Sequence, residues 1–392
     1  MRILYLFAGK RGDRFVGVPG KDFPDTQLYG LNHLPSLGIS AEHKEFYDVI
    51  PSRFFERHLG FNTRHALLFF GTKGYDIVFG SAILPMMIFK KLFGRRSKFI
   101  LLNISLTRLL KKNGKLTFKG MVIRTLLKGI DAIVCFSRSQ RDYLCNIEGF
   151  SQKKVFVVSQ GVDISYFTPY HENAPSVRMG MTRVFQASRA RNAPMPRASA
   201  SGAGFVPSRS RYERGLIVSA GRDNARDYKT VIDVASSLPD IKFLIICSKR
   251  NLKGVSNVPK NVEIKFDITS SELRDAYRQA RALLMTTHNE SFLDGADCSG
   301  MTVLLEAFAS GLPSIVTRRS SHADYVEDGK NAIFVNPYDI NGIIEKIRMV
   351  FSDQLLAEEL GREARKSAEQ NFSTRNMAEM LKNIFNTVAR AS

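Results

Sequence analysis

The chain has 392 residues, 44% of them hydrophobic and 24% charged, which excludes a disordered or fibrous chain and gives two domains room for separate cores. Its 57 Lys and Arg outweigh 37 Asp and Glu, for a formal net charge of +20. Four cysteines, Cys135, Cys145, Cys247 and Cys298, stand far apart without a CxxC pair, against a disulfide framework or a zinc knuckle.

The opening MRILYLFAG meets Lys10 and Arg11 after a short apolar run and has no small-residue cleavage site, so it reads as a buried first strand. TQLYGLNHLPSLG follows as a helical segment, then the strand YDIVFGS, a helix from Met86, the strand KFILLN, a basic helix near 117–129, and the strands AIVCFS and KVFVV. The longest nearly uncharged run, Ile77 to Phe89, is short for a bilayer and is broken by Gly80, Ser81 and Pro85. Residues 171–214 change character: rich in Ala, Ser, Pro and Arg, without Lys and without lasting periodicity, they read as an interdomain linker or a docking arm. The alternation then resumes with LIVSAG, helix 228–237, KFLIIC, VEIKF, helix 270–281, ALLMTT, helix 302–311, PSIVT, AIFVN and helix 340–351. Such alternation predicts an α/β chain of two doubly wound, Rossmann-like parallel-sheet domains facing a central cleft. The expected divisions are an N-terminal domain at 1–170, the linker at 171–214, a C-terminal domain at 215–373, and a last helix at 374–392 that packs back toward the N-terminal domain.

The charge is unevenly placed. Residues 1–170 carry 26 basic and 12 acidic side chains, 171–214 carry eight Arg against Glu172 and Glu213, and 215–392 carry 23 of each. Within 51–128, 16 basic residues face only Glu56 and Asp76. The asymmetry points to an anionic partner, either a phospholipid surface or a polyanion, with a merely solubilising surface as the alternative. LPMMIFKKLFGRRSKF and FKGMVIRTLLKG mix bulky apolar residues with Lys and Arg; helices of this kind lie in a membrane interface or pack on their own sheet with the lysines in solvent. Nucleic acid is not expected, since no helix-turn-helix, zinc or RNA-binding signature is present and Trp is absent.

Two stretches carry chemistry. In CSGMTVLLEAFASGLPSIVT, Ser299 and Gly300 precede a helix from about Thr302, whose free N–H groups attract a phosphate, and Glu306 lies on its second turn among apolar neighbours. A buried Glu needs a partner, and the two hydroxyls of a ribose suit it. In SAGRDNARDYKT, a strand ends at Gly221 and Arg222, Arg226 and Lys229 cluster at the turn, matching a diphosphate. The histidines show no metal-ligand spacing, although Asp294 and Asp297 leave a metal formally open. The turn containing Gly17 and Gly20 is a candidate for the cleft's N-terminal side, or a plain surface loop.

These residues resemble a known family. LLEAFASGLPSIVT with DYVEDGKNAIFVNPYD, the phrase SQGVDISYFTP, and the turn SAGRDNARDYKT are similar to the family 4 glycosyltransferases of the GT-B fold, distinctively over about 215–340. The resemblance implies a retaining, metal-independent sugar transfer from a UDP- or GDP-linked donor, with no prosthetic group, to a glycan or lipid-linked acceptor held by the N-terminal domain. It implies Glu306 on the ribose, Arg222 with Arg226 or Lys229 on the diphosphate, and the backbone of Gly300, Met301 and Thr302 at phosphate and sugar. Its location would be cytoplasmic, peripheral on the inner membrane face. The chain departs from the family at three places. Eight residues before Glu306, where the family has a glutamate, stands Cys298, so that Asp297, another group, or a displaced Glu290 replaces it. After KFILLN, where the family often has His, stand Asn103 and Ile104, and the linker is longer than usual. A catalytically inactive scaffold and a nucleotide-sugar epimerase of the same fold are the alternatives.

Overall fold

The computed structural model describes residues 1–45 apart from 8 and 10, 63–169 apart from 95, and 215–391. The expected linker at 171–214 lies outside the described residues. Strands β1 (Arg2–Phe7), β2 (Ser40–Glu45), β3 (Ile77–Gly80), β4 (Lys98–Asn103), β5 (Ala132–Cys135) and β6 (Val155–Val157) form a parallel sheet in the order β2-β1-β3-β4-β5-β6. Strands β7 (Leu216–Ala220), β8 (Lys242–Cys247), β9 (Val262–Phe266), β10 (Ala282–Met285), β11 (Ser314–Thr317) and β12 (Ile333–Val335) form a second, in the order β12-β11-β10-β7-β8-β9.

Helices cover both faces of each sheet, so the central strands are apolar without alternation. In β1, Ile3, Tyr5 and Phe7 enter one core layer while Leu4 and Leu6 enter the other. The first layer is closed by α1 (Gly12–Gly17) and by α11 (Thr374–Arg390), whose Met377, Leu381, Phe385 and Val388 recur at helical spacing and pack on Tyr5 and Phe79. The second is closed by a 3-10 segment at 63–72 and by α2 (Met87–Phe93), α3 (Leu106–Lys112) and α4 (Phe118–Leu127), which bury Phe69, Met87, Leu110 and Ile123. The helical segment expected at TQLYGLNHLPSLG is three short 3-10 turns. After it comes β2, SAEHKE, an edge strand too polar for hydrophobicity to reveal.

In the C-terminal domain α6 (Tyr228–Ser236), α7 (Ser270–Gln279), α8 (Met301–Ala309), α9 (Ile340–Ser352) and α10 (Gln354–Asn371) surround the sheet, α5 (Arg138–Asp142) having closed the first domain. The chain leaves β7 toward β8 and β9, then returns to the other side of β7 as β10. That reversal opens a crevice at the carboxyl ends of β7 and β10, where the candidate site lies.

Candidate donor site in the interdomain cleft

A cleft of about 230 Å³ is lined from the C-terminal domain by Gly221 to Asp223, Arg226, Ala296 and Cys298 to Val303, and from the N-terminal domain by Tyr29, Ile104, Phe136 and Gln160. Its floor is made by the turns after β7 and β10. Gly221 has φ +138°, and a Cβ there would lie 3.0 Å from Arg226 Nε, so the missing side chain lets Arg226 fold back under the turn. Asp227 fixes the next step: its carboxylate accepts from the Thr230 N–H at 3.1 Å and caps α6, while its own N–H donates to the Thr286 carbonyl at 3.2 Å.

Arg226 is 2% exposed. Its Nη2 reaches Ser219 Oγ at 3.4 Å and its guanidinium lies 5.6 Å from the Tyr228 ring centre, but Nε and Nη1 have no hydrogen-bond partner among the described residues. The Ser299 hydroxyl is likewise buried without a partner there. Gly300, at φ +85°, sits over the guanidinium: a Cβ would come within 3.0 Å of Arg226 Nη1 and 2.6 Å of Met285 Sδ. The start of α8, a glycine packed against Arg226, and a buried guanidinium without partners among the described residues thus meet at one point, an arrangement that can accept an anion. Gly300→Ala is expected to lose about 1–3 kcal/mol in urea unfolding from strain and crowding. Nucleotide affinity should fall at least roughly tenfold, since a methyl group within about 3.0 Å of Arg226 Nη1 crowds the donors that would meet an anion. Unchanged affinity would show that the Gly300 turn does not meet the nucleotide.

His322 braces this turn from behind, its two ring nitrogens each 2.9 Å from a carbonyl, of Ser299 and of Thr317. Burial pushes its pKa down to about 4, while the hydrogen bonds to the two carbonyls pull the other way. Glu306 is 7% exposed and accepts from Tyr277 Oη at 3.1 Å. The partner a buried Glu requires is therefore supplied in part by Tyr277. Burial pushes its pKa up to about 8, against the pull of that hydrogen bond and of Arg14 of the N-terminal domain.

The remaining expected residues are distributed as follows. Arg222 lines the cleft, mostly exposed, 3.5 Å from Asp267. Lys229 is exposed on α6, bound to Asp233 at 2.6 Å, away from the cleft lining. Glu290 accepts from the Ser320 N–H at 2.7 Å; that bond and Arg319 outweigh its partial burial and hold its pKa below the usual range. Asp297 receives the Arg108 N–H at 3.1 Å, capping α3 from the other domain, and burial raises its pKa against Lys111. Asn103 is fully buried and caps the same helix through the Leu106 N–H at 2.9 Å, leaving Ile104 to face the cleft. Gly17 is buried against Phe23 and Gly20 is exposed beside Asp22, neither in the lining.

Sequence reasoning missed the N-terminal wall. Tyr29 holds φ 51° and ψ 44°, a left-handed conformation costly for an aromatic residue, and stacks at 6.3 Å on Phe136. Arg14 is half-buried; burial, then Arg11, lowers its pKa, while Glu306 of the C-terminal domain pulls it up. The domains are tied shut around the site: Gln160 donates to Thr302 Oγ1 at 2.7 Å, Tyr325 donates to the Phe136 carbonyl at 2.6 Å, and Lys112 meets Asp294 at 3.3 Å. Among the described residues no group of three or more His, Cys, Asp or Glu is placed to hold a metal ion.

Residues 206–367 match the family described as Glycosyl transferases group 1. A capsular polysaccharide biosynthesis glycosyltransferase, CapM of Staphylococcus aureus, is 30% identical over 177 residues, which are 45% of this chain and 41% of that protein. N-acetyl-alpha-D-glucosaminyl L-malate synthase of Bacillus anthracis is 24% identical over 43% of this chain and 44% of its own. The chain thus aligns with less than half the length of these relatives. Among solved structures, sucrose-phosphate synthase of Thermosynechococcus elongatus superposes with TM-score 0.69 at 14% identity, covering all of both chains. The Anabaena Alr3699/HepE protein in complex with UDP and glucose superposes with TM-score 0.64 at 14% identity, over 98% of this chain and 99% of that one. Residues 206–367 therefore match the glycosyl transferases group 1 family, within a chain whose two parallel-sheet domains share the GT-B fold of these solved structures.

Proposed function

We propose that the chain transfers a hexosyl unit, with retention at the anomeric carbon, from a UDP- or GDP-linked donor to an anionic or lipid-linked glycan acceptor at a cytoplasmic membrane face. The reading is carried by Arg226: a buried guanidinium whose Nε and Nη1 have no hydrogen-bond partner among the described residues, beside Gly300 and the start of α8. A diphosphate supplies the acceptors these donors lack, and it brings compensating charge. The similarity to CapM, a capsular polysaccharide biosynthesis glycosyltransferase, and to HepE in complex with UDP and glucose supports the product class and the donor.

In this reading Glu306 holds the ribose hydroxyls, and the Ser299 to Thr302 backbone with Gly221 frames diphosphate and sugar. The acceptor hydroxyl attacks the anomeric carbon as its bond to the phosphate oxygen breaks, and the hydroxyl proton leaves with the diphosphate. Negative charge grows on that leaving group, where Arg226, Arg222 and the α8 start meet it. Lys229, held by Asp233, takes no part. The ties from Gln160 and Tyr325 keep the cleft closed and water out.

The test is donor turnover. The chain is incubated with UDP- and GDP-sugars, released nucleotide is measured, and the freed or transferred sugar is followed by proton NMR at early times. Release of one nucleotide with the donor's own anomer appearing first is expected. The opposite anomer first would exclude retention, and no release with any donor would favour the inactive scaffold.

A further inference from the structure

We propose that the outer face of the N-terminal helical layer, formed by residues 63–72, α2, α3 and α4, is a docking surface for an anionic lipid bilayer. This layer buries one side on the sheet, yet its other side does not read as a solvent face. Leu67, Phe70, Leu92, Phe93, Leu116 and Phe118 are all exposed, Leu116 to 93% and Phe118 to 73%. Phe70 and Phe93 meet through contact: the Phe70 ring lies 5.1 Å from Phe89 and 5.8 Å from Phe93, on neighbouring segments. Bulky apolar side chains at this density mark a surface that is covered in use.

Charge says what covers it. Residues 63–128 contain 14 Lys and Arg and a single acidic residue, Asp76. Lys73, Lys91, Arg96, Lys119 and Lys128 have no acidic side chain within ion-pair distance among the described residues. Around Lys119, burial and then Lys112 and Arg108 lower the ammonium pKa, so the cations are crowded enough to repel one another. Exposed aromatic and aliphatic side chains ringed by uncompensated cations suit a headgroup layer of negative charge, with the apolar tips below it and the ammonium groups at phosphate level. No described helix is long and apolar enough to cross a membrane, so the contact is interfacial.

The position of this face bears on the proposed transfer. The loop carrying Leu116 and Phe118 follows α3, whose N-terminal turn is held by Asp297 next to the cleft residue Cys298. A bilayer on this face brings a lipid-linked acceptor to the cleft mouth. This consequence rests on the transferase reading, whereas the docking does not.

The full chain is sedimented with phosphatidylcholine vesicles and with vesicles containing phosphatidylglycerol, at low and high salt. Binding is expected only to the anionic vesicles, weakened by salt. It should fall roughly tenfold both in the variant Leu92→Ser, Phe93→Ser, Leu116→Ser, Phe118→Ser and in Lys115→Glu, Lys119→Glu. Both should keep the wild-type melting temperature and UDP affinity, the latter read separately so that loss of docking and failure of the donor site are distinguishable. Equal binding to neutral vesicles, wild-type binding by both variants, or loss instead of a concentration-dependent self-association would overturn the proposal.

Discussion

Arg226→Met is expected to lose nucleotide binding by about two orders of magnitude while its melting temperature holds or rises. The guanidinium is 2% exposed, and its Nε and Nη1 have no hydrogen-bond partner among the described residues, while Nη2 makes a marginal contact to Ser219 Oγ at 3.4 Å. In the absence of an anion this is a destabilising feature, since a buried cation without a carboxylate costs several kcal/mol of desolvation. Methionine keeps much of the volume and removes the charge. With a diphosphate bound the balance reverses: hydrogen bonds between charged groups contribute about 1.5–3 kcal/mol each, so losing two predicts roughly a hundredfold or greater loss. A residue serving only the fold would behave otherwise, losing stability and leaving affinity alone. Thermal unfolding and UDP titration on the same samples separate the two cases.

Glu306→Gln is expected to flatten a pH dependence of stability. Burial puts the folded pKa at about 8, above an unfolded value near 4.3. Between those values the folded state holds a proton that the unfolded chain has released. The stabilisation is thus fully present below about pH 4 and lost as pH rises through 8. Each pH unit in this window removes at most about 1.4 kcal/mol, giving a ceiling of roughly 4 kcal/mol between pH 5 and 8. Glutamine keeps an acceptor for Tyr277 Oη but does not titrate. Urea unfolding of both proteins at pH 5 and pH 8 isolates this group, because all others cancel in the difference. The variant should gain on wild type as pH rises, and parallel curves would show that Glu306 is charged throughout. Donor affinity should fall about tenfold at pH 8, where the carboxylate would accept the ribose hydroxyls.

The parts of this molecule that were legible in sequence are those set by local physics. Central strands such as KFILLN and KFLIIC are continuous apolar runs because helices cover both faces, and they stand out. SAEHKE does not, since an edge strand needs little hydrophobicity. Ser299 and Gly300 were visible because a glycine before an apolar helix is a local signal. Arg226 and Lys229 are three residues apart and chemically alike, and only the fold decides between them. Gly221 leaves room for Arg226 to turn under, while the α6 surface gives Lys229 to Asp233. Asp297 looked like a replacement carboxylate, but its nearest N–H belongs to Arg108 of the other domain. Tyr29 and Gln160 reach the cleft from far along the chain, and no local pattern announces them.

Calorimetric titration of the wild-type chain with UDP and with GDP at neutral pH, repeated on Arg226→Met, tests the donor site most directly. One nucleotide per chain, bound by the wild type and lost in the variant, is the result predicted. Binding of equal strength in both proteins, or of neither nucleotide to the wild type, would contradict a diphosphate site built on Arg226 and the Gly300 turn.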